Sequence, residues 1–432
     1  MRLPKICRAG ILFLILGSPF LSSGYSVLTH EQIVDLVWKD QIQRLLQKRF
    51  PGATGDELRQ AHAYAYGGSL TQDMGYYPFG NKYFSDLTHY VRSGDFVVAL
   101  IQQSSDLNGY AFALGALAHY TSDIYGHPVI NKSVAMTFPK LRAKFGDEVT
   151  YEDDPKEHIR TEFGFDMVQV AKNRYTSDRY HDFIGFNIDK PLLEQAFQQT
   201  YNLKLSDVIH DEDLAFGTFR RSVSRIIPEM TRVALLNRKT EIVRDTPNFN
   251  KRKFLYRLSR SQYQKEWGRG YRRPGFGARV LAFFLRIVPK VGPFKAVDFQ
   301  IPTTQTEDLY IQSINMTVDN YGSLLREQPS KQVHLEDQDL DTGRPSRAGE
   351  YKLADKTYAR LLDDLSKRNF DQVTPDLQQN ILAYFRDAKP PVPNKKDKNA
   401  EKAWEKTMAE LEKLKSYTPS QAQAPAIGSN EP

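Results

Sequence analysis

Three side chains of the kind that bind metals stand four residues apart in an apolar stretch of the chain. They are His119, Asp123 and His127, and residues 112–118 before them are apolar or small. On an α-helix this spacing places all three side chains along one face, where they can reach a common volume. An imidazole and a carboxylate are costly to bury without partners. The segment therefore predicts a helix that contributes several ligands to a metal site.

A second pair with the same separation is His158 and Glu162. A single histidine and acid at this spacing on a helix are usually a solvated surface pair. Two such pairs, with His127 in line with the first, favour zinc instead, because imidazole and carboxylate groups are its usual ligands. Zinc needs at least one ligand beyond the second pair, and His127 can supply it.

Three candidate ligands lie upstream, and each is weak when considered alone. Asp73 follows a glycine-rich turn, where an aspartate is most often a cap or a turn stabiliser. His89 comes sixteen residues later, and His30 lies near the amino end. If the chain were cleaved before Tyr25, the new amino nitrogen and the adjacent carbonyl oxygen of Tyr25 would add a chelating pair.

The first residues predict export. Arg2, Lys5 and Arg8 precede the apolar run 9–21, which is short for a membrane span, and small residues precede Tyr25. This is the pattern of a secretory signal peptide over residues 1–24. The single cysteine, Cys7, lies inside it, so we expect an exported protein, periplasmic or secreted, whose stability comes from core burial and metal.

The ordered set of these residues resembles the zinc-dependent phospholipase C family, which includes glycosylphosphatidylinositol-specific phospholipase D. The resemblance covers roughly residues 25–170 and implies an all-helical domain with three zinc ions. By this resemblance, one ion takes Asp73, His89, His119 and a bridging Asp123. A second takes His127, His158 and Glu162. The third takes His30, Asp123, and the amino nitrogen and carbonyl oxygen of Tyr25.

The family resemblance also implies a chemistry, which is hydrolysis of a phosphodiester bond in a phospholipid. Clustered zinc ions activate water, orient the phosphate and neutralise developing charge. Asp73 and Asp123 are the expected catalytic residues, Asp73 by orienting or deprotonating the water. The spacing from Asp123 to His127 is closer to the phospholipase D branch, so the bond that is cleaved, C type or D type, stays open.

Apolar residues recur every three to four positions from Tyr25 to about Lys239, and we find no run of alternating strands. The fold prediction is therefore an all-α, multi-helix bundle with a C-terminal helical extension. Five helix breaks are expected, at residues 51–52, 67–68, 75–80, 126–128 and 153–155.

The chain divides by composition into five parts. The signal peptide, 1–24, precedes a catalytic domain at 25–245 and a basic, aromatic segment at 246–300. An accessory helical region follows at 301–388, and a charged, largely disordered tail with one helix candidate near residues 400–415 ends the chain at 389–432.

Residues 251–290 carry twelve arginines and lysines against one acid, Glu266, with aromatic side chains interleaved. An anionic membrane surface is the preferred partner, since the apolar run 280–285 lies beside the charges. A solvated loop and a nucleic-acid backbone are the alternatives.

Two other functions remain open. A secreted zinc-dependent single-strand nuclease has a similar ligand order, but such nucleases generally place Asp where this chain has Glu162. A non-catalytic exported module that keeps zinc for structure is the other, and closed sites with no room for water would characterise it.

Overall fold

The structure is a computed structural model, and it describes residues 27–171, 185–223, 227, 299–328, 334–390 and 398–419. Within these ranges the regular structure is helical, apart from one antiparallel pair of two-residue strands. The all-α prediction is confirmed. The predicted signal peptide, Tyr25 and residues 251–290 lie outside the described residues.

The α-helices are numbered in chain order over the described residues. They are α1 Val27–Val37, α2 Gln43–Arg49, α3 Gly55–Gly68, α4 Lys82–Tyr90, α5 Ser93–Gln103, α6 Leu107–Thr137, α7 Pro139–Phe145, α8 Pro155–Ala171, α9 Lys190–Tyr201, α10 Leu205–Val208, α11 Glu212–Arg221, α12 Thr304–Glu327, α13 Lys352–Lys367, α14 Pro375–Tyr384 and α15 Lys398–Ser416. A π-helical turn, Trp38–Ile42, joins α1 to α2, and a 3₁₀ turn, Gln72–Tyr76, lies between α3 and α4. The strands are β1 Gln338–Asp339 and β2 Arg344–Pro345.

Helix α6 is the central element, and α3 packs closely against it through two glycines. A Cβ on Gly68 would lie 2.0 Å from the carbonyl oxygen of Phe112, and a Cβ on Gly115 would lie 2.0 Å from that of Ala65. The two backbones can approach only because both side chains are absent. This crossing fixes the end of α3, and the turn after it, against the face of α6 that carries His119.

Side-chain caps define the starts of helices around the core. Thr54 and Glu57 form a capping box at α3, Asn81 accepts a hydrogen bond from the Tyr83 N–H at α4, and Asp106 accepts one from Gly109 at α6. Each cap satisfies a backbone donor that has no partner within its helix. The caps therefore set where α4 and α6, which carry metal-ligand candidates, begin.

The predicted break at residues 126–128 is wrong, because α6 runs without interruption from Leu107 to Thr137 with Pro128 inside it. Proline lacks the N–H that would bind the carbonyl of Ile124, four residues earlier. That carbonyl faces Gly343, where a Cβ would lie 2.4 Å from the oxygen, and the proline ring is also close to Gly343. Tertiary packing thus covers the position that the sequence marks as a helix end.

The predicted accessory helices are present as α12, α13 and α14, and their buried apolar residues belong to the same hydrophobic cluster as those of α1 to α6, α8 and α9. Tyr321 on α12 donates a hydrogen bond to the carbonyl of Leu114 on α6, at 2.8 Å. Tyr310 stacks on Phe165 of α8 with ring centroids 4.5 Å apart. Helix α12 therefore covers α6 and α8, which carry candidate ligands.

Residues 335–346, which we name the C-terminal strap, contain β1 and β2. The strap contacts the end of α4, the start of α5 and the middle of α6, where Tyr120 and Asn131 donate to strap carbonyls. Asp337 accepts hydrogen bonds from the backbone N–H groups of Gly94 and Asp95, both at 3.1 Å. The N–H of Leu340 donates to the carbonyl of His89, at 3.1 Å. The strap is thereby bound to backbone next to the candidate ligand His89.

Within the predicted charged tail, residues Lys398–Ser416 form helix α15, at the position of the helix candidate near residues 400–415. Leu411 and Leu414 are buried, and Lys406 pairs with Asp363 of α13 at 2.7 Å. An apolar stripe at helical spacing gives this charged segment a face to bury.

In the described part of the chain, no helix combines the length and the apolar character that crossing a membrane requires.

Candidate metal centre

The eight predicted side-chain ligands converge from five elements. His30 lies on α1, Asp73 in the 3₁₀ turn and His89 on α4. The other five lie on α6 and α8: His119, Asp123, His127, His158 and Glu162. Seven of the eight side chains are completely buried, and Glu162 is 2% exposed. The ninth predicted ligand, Tyr25, lies outside the described residues.

Four donor atoms surround one point between α4, α6 and the 3₁₀ turn. His89 Nε2 lies 3.4 Å from Asp73 Oδ1, from Asp123 Oδ2 and from His119 Nε2, and His119 Nε2 lies 3.0 Å from Asp123 Oδ2. Two ligands about 2.0–2.1 Å from one tetrahedral zinc ion are separated by about 3.3 Å. The spacing of these four atoms therefore fits a single zinc ion.

Asp123 faces two groups of ligands with its two oxygens. Oδ2 points to His89 and His119, while Oδ1 lies 3.5 Å from His30 Nε2 and 4.0 Å from His127 Nε2. A carboxylate in this position can bridge two metal ions. The arrangement matches the bridging role that the family resemblance implies for Asp123.

His127, His158 and Glu162 form a separate group. His158 Nε2 lies 2.7 Å from Glu162 Oε1, and the rings of His127 and His158 meet edge to face with centroids 5.5 Å apart. Each of the three residues offers one possible ligand atom, and these three atoms lie within 4.8 Å of one another. Two further groups of three residues meet the same distance limit. Those groups are Asp73 with His89 and His119, and His30 with His119 and Asp123. Two of the sets contain only residues that the resemblance assigns to a single ion, while the set around His30 also includes His119, which the resemblance assigns to another ion. The ligand assignment and the number of ions stay predictions.

Backbone carbonyls fix the orientation of two histidines. His89 Nδ1 lies 2.8 Å from the carbonyl oxygen of Ser85, and His119 Nδ1 lies 2.9 Å from that of Ser69. A carbonyl oxygen can only accept, so Nδ1 carries the hydrogen and donates it. Nε2 of each ring then faces the other ligands, which is the orientation that metal binding requires.

Sequence reasoning missed a carboxylate that orients a third histidine. Asp341 of the C-terminal strap is fully buried, and its Oδ1 lies 3.1 Å from His127 Nδ1. Its Oδ2 accepts hydrogen bonds from the hydroxyls of Tyr90, at 2.8 Å, and Tyr351, at 2.5 Å. No spacing signal identified Asp341, since its partners lie in distant parts of the sequence.

A second missed carboxylate, Asp166 on α8, holds the start of α1. It accepts hydrogen bonds from the N–H of Leu28, at 3.0 Å, and from the hydroxyl of Thr29, at 2.6 Å. Both donors immediately precede His30. Asp166 therefore fixes the backbone from which His30 reaches the centre.

The charges of the metal-free centre show why it needs a cation. Burial alone would raise the pKa of Asp123, but His119 and His127 beside it hold this pKa well below its usual range. Burial would lower the pKa of His127, yet Asp123 and Asp341 raise it to about 9. Burial would also lower the pKa of His89, but Asp123 and Asp73 raise it well above its usual value. Burial instead lowers the pKa of His30, and it lowers that of His158 to about 3, so the histidines of the centre do not share one protonation state.

Several ligand atoms have no hydrogen bond within the part of the chain that the structure describes. They include both carboxylate oxygens of Asp73 and Asp123 and both ring nitrogens of His158. Leaving such groups buried without partners costs on the order of 1–3 kcal/mol each. Because the donor types, the spacing and these unsatisfied atoms agree, the residues fit bound zinc.

Two tyrosines and a lysine lie beside the centre. The ring of Tyr76 is 6.1 Å from His89, the ring of Tyr151 is 5.9 Å from His158, and the two tyrosine rings are 6.3 Å apart. Lys82 Nζ lies 5.6 Å from the first ring and 5.9 Å from the second, and it pairs with Asp86. Phe84, close to Lys82 in the sequence, is fully buried in the hydrophobic core.

A buried histidine–carboxylate centre with a bridging aspartate, inside an all-helical bundle, defines a zinc-dependent hydrolase of the phospholipase type. The comparison with family models agrees: residues 29–210 match the model described as zinc dependent phospholipase C, and this part of the chain is similar to that family. The match lies inside the predicted catalytic domain, 25–245. Neither a curated protein nor a solved structure matches the chain.

Proposed function

We propose that this hydrolase cleaves phosphodiester bonds of phospholipids. The observation that carries the proposal is the position of Asp123, whose two oxygens face separate sets of histidines in a domain of the phospholipase family. A centre of this kind can hold neighbouring metal ions, which suits attack on a phosphate that carries negative charge. Structural zinc sites are instead usually closed around one ion.

The protein's own groups have distinct roles in this reaction. Bound zinc supplies Lewis-acid charge and lowers the pKa of a water molecule. Asp123 holds the two ligand sets together. Asp73, with both oxygens free of hydrogen bonds from the described residues, accepts the proton of the attacking water. The carbonyls of Ser69 and Ser85 keep His119 and His89 oriented throughout.

Lys82 supports an anionic substrate. Its ammonium group lies near Tyr76 and Tyr151, which flank the two halves of the centre, and its side chain is 42% exposed. A partly exposed cation in this place favours the approach of a phosphate group. We assign Lys82 to contact with the phosphate or with an acidic or hydroxylated headgroup.

The test is hydrolysis of a lipid panel by the zinc-loaded protein, with products identified by mass. Phosphatidylcholine, phosphatidylinositol and phosphatidylglycerol vesicles are each incubated with the protein and with Asp123→Asn. Diacylglycerol and a phosphorylated headgroup indicate C-type cleavage, whereas phosphatidic acid indicates D-type cleavage. Cleavage of single-stranded DNA with every lipid left intact would show that the substrate is a nucleic acid and overturn the proposal.

We also propose that the protein is exported and that its mature chain begins at Tyr25. Support comes from the charged and apolar pattern of residues 1–24 and from a chain without cysteine after Cys7. Amino-terminal sequencing of the protein recovered from the cell envelope and from the medium tests this. A chain that begins at Met1 in every fraction contradicts it.

The membrane proposal concerns residues 251–290, whose cations are each worth about 1 kcal/mol near an anionic surface. Sedimentation with phosphatidylserine vesicles, compared with phosphatidylcholine vesicles, measures this attraction. We expect binding to the anionic vesicles that weakens as salt rises. Equal binding to both kinds of vesicle contradicts the proposed electrostatic contact.

A further inference from the structure

The strongest unassigned feature is the contact between Asp341 and His127. The family match ends at residue 210, so the C-terminal strap lies outside it. Yet Asp341 places Oδ1 at 3.1 Å from the Nδ1 of a candidate zinc ligand, with both side chains fully buried. A carboxylate that meets the far nitrogen of a metal-binding imidazole fixes the orientation of that ring.

Backbone contacts on two ligand-bearing helices hold the strap in place. The side-chain amide of Asn131 on α6 donates to the carbonyl of Asp341, at 2.8 Å. The N–H of Leu340 donates to the carbonyl of His89 on α4. Gly343 adopts a φ of +64° and fits against the carbonyl of Ile124, where a side chain has no room. Residue 341 is thus fixed relative to both helices.

The orientation of the Asp341 carboxylate is also determined. Tyr90 and Tyr351 both donate hydrogen bonds to Oδ2. Oδ1 is left facing His127 Nδ1 at 3.1 Å, and in the described part of the chain neither of these two atoms makes a hydrogen bond. The two tyrosines therefore turn the carboxylate toward the imidazole.

We propose that Asp341 is a positioning residue of the metal centre. It accepts the Nδ1 hydrogen of His127 and so directs Nε2 to the zinc ion held with His158 and Glu162. His89 and His119 have backbone carbonyls in the same role. A carboxylate differs from a carbonyl because its charge also makes the imidazole a stronger ligand. The polypeptide beyond the family match is therefore part of the site.

The other aspartates of the strap have different partners. Asp337 accepts from backbone N–H groups at the start of α5, and Asp339 accepts from the N–H groups of Asp341, at 2.9 Å, and Thr342, at 3.3 Å. Their oxygens close turns and caps. Asp337→Asn is therefore a matched control, which changes an acid of the same strap without touching His127.

The decisive experiment measures zinc affinity and does not depend on the substrate. Full-length protein, Asp341→Asn, Asp341→Ala and Asp337→Asn are loaded with zinc, counted by elemental analysis and titrated with a competing chelator. We expect the dissociation constant of one zinc ion to rise about tenfold in Asp341→Asn and about a hundredfold in Asp341→Ala. The remaining zinc and the Asp337→Asn protein should behave as wild type. Unchanged affinity in both Asp341 variants, or an equal loss in Asp337→Asn, overturns the proposal.

A second measurement is made on the wild-type centre, so it does not depend on the folding of Asp341→Ala. Histidine-labelled, zinc-loaded protein gives long-range nitrogen–proton correlations for each imidazole, and His127→Asn identifies the signal of His127. We expect hydrogen on Nδ1 and metal on Nε2. Hydrogen on Nε2 would mean that Asp341 does not direct this ring.

Discussion

Individual residues of the centre differ in how well the sequence could predict them. Asp123 and Glu162 are recognisable because each stands four residues from a histidine on its own helix. Asp341 has no such signal, since its partners His127, Tyr90 and Tyr351 come from three separate elements. Nothing in the spacing distinguishes it from Asp337 and Asp339. Only the path of the strap brings Asp341, and not its neighbours, to an imidazole.

Because Asp123 faces two ligand sets, replacing it should release more zinc than replacing a residue that binds only one ion. Asp123→Asn replaces a carboxylate that faces both ligand sets, so we expect at least two zinc ions to be lost, with activity reduced by a factor of about 10³ or more. Glu162→Gln affects a residue grouped only with His127 and His158. It should lose one ion. Elemental analysis after gel filtration measures both, and equal losses in the two variants would contradict the bridge.

Asp337 predicts a pH dependence of stability away from the metal. Burial, followed by the nearby charge of Asp95, raises the pKa of this carboxyl to about 6. The pKa of Asp337 is therefore higher in the folded state than in the unfolded state. The stability that the protonated Asp337 carboxyl contributes is complete below about pH 4 and is lost as pH rises through 6. Asp337→Asn retains an oxygen for the N–H groups of Gly94 and Asp95 but cannot ionise.

We therefore expect the unfolding free energy of Asp337→Asn, relative to wild type, to increase by roughly 1–2 kcal/mol between pH 4 and pH 7. A constant offset is also expected, because Asn380 donates to the oxygen that is replaced. Urea unfolding at several pH values separates the two effects. A difference that does not change with pH would show that Asp337 ionises normally.

At the scale of elements, helical periodicity predicted where the helices lie but not how they pack. Gly67 and Gly68 were predicted as a break, and α3 does end there. The same glycine, Gly68, also admits the backbone of α6, and that close approach has no signature in one sequence. The Gly126–Pro128 segment shows the converse, because local propensity favoured a break that packing against the strap overrides.

The crossing of α3 and α6 predicts a sharp contrast between two glycines of the same helix. Gly68→Ala places a methyl group 2.0 Å from the Phe112 carbonyl, so the helices must separate, at a cost of about 2–3 kcal/mol or more. Gly55→Ala meets no atom within 4 Å and should be neutral or stabilise by up to about 1 kcal/mol. Chemical unfolding of the metal-free proteins measures both, and similar values for the two variants would contradict the close crossing.

Across the whole molecule, the N-terminal and C-terminal parts share one hydrophobic cluster and one polar centre. Composition separated residues 301–388 from the catalytic domain, yet Tyr310 reaches the hydroxyl of Thr29, at 2.6 Å, and Asp341 reaches His127. Sequence periodicity could locate α12 and α13 because each has an apolar face. It could not show that α12 covers α6 or that α13 covers α4, since the partner of an apolar face is not encoded in its spacing.

The final prediction follows from a centre that is buried in the middle of this fold. Zinc binds the folded site and not the unfolded chain, so each ion stabilises the protein by about 2.7 kcal/mol when free zinc is a hundredfold above its dissociation constant. We expect the melting temperature to fall after chelation and to return with zinc. Magnesium and calcium prefer oxygen ligands, and the five histidines of this centre should leave them without effect. Recovery with magnesium as complete as with zinc would show that the histidines do not bind the metal. Asp123→Asn should show little zinc-dependent recovery, because the residue between the ligand sets is the one that has changed.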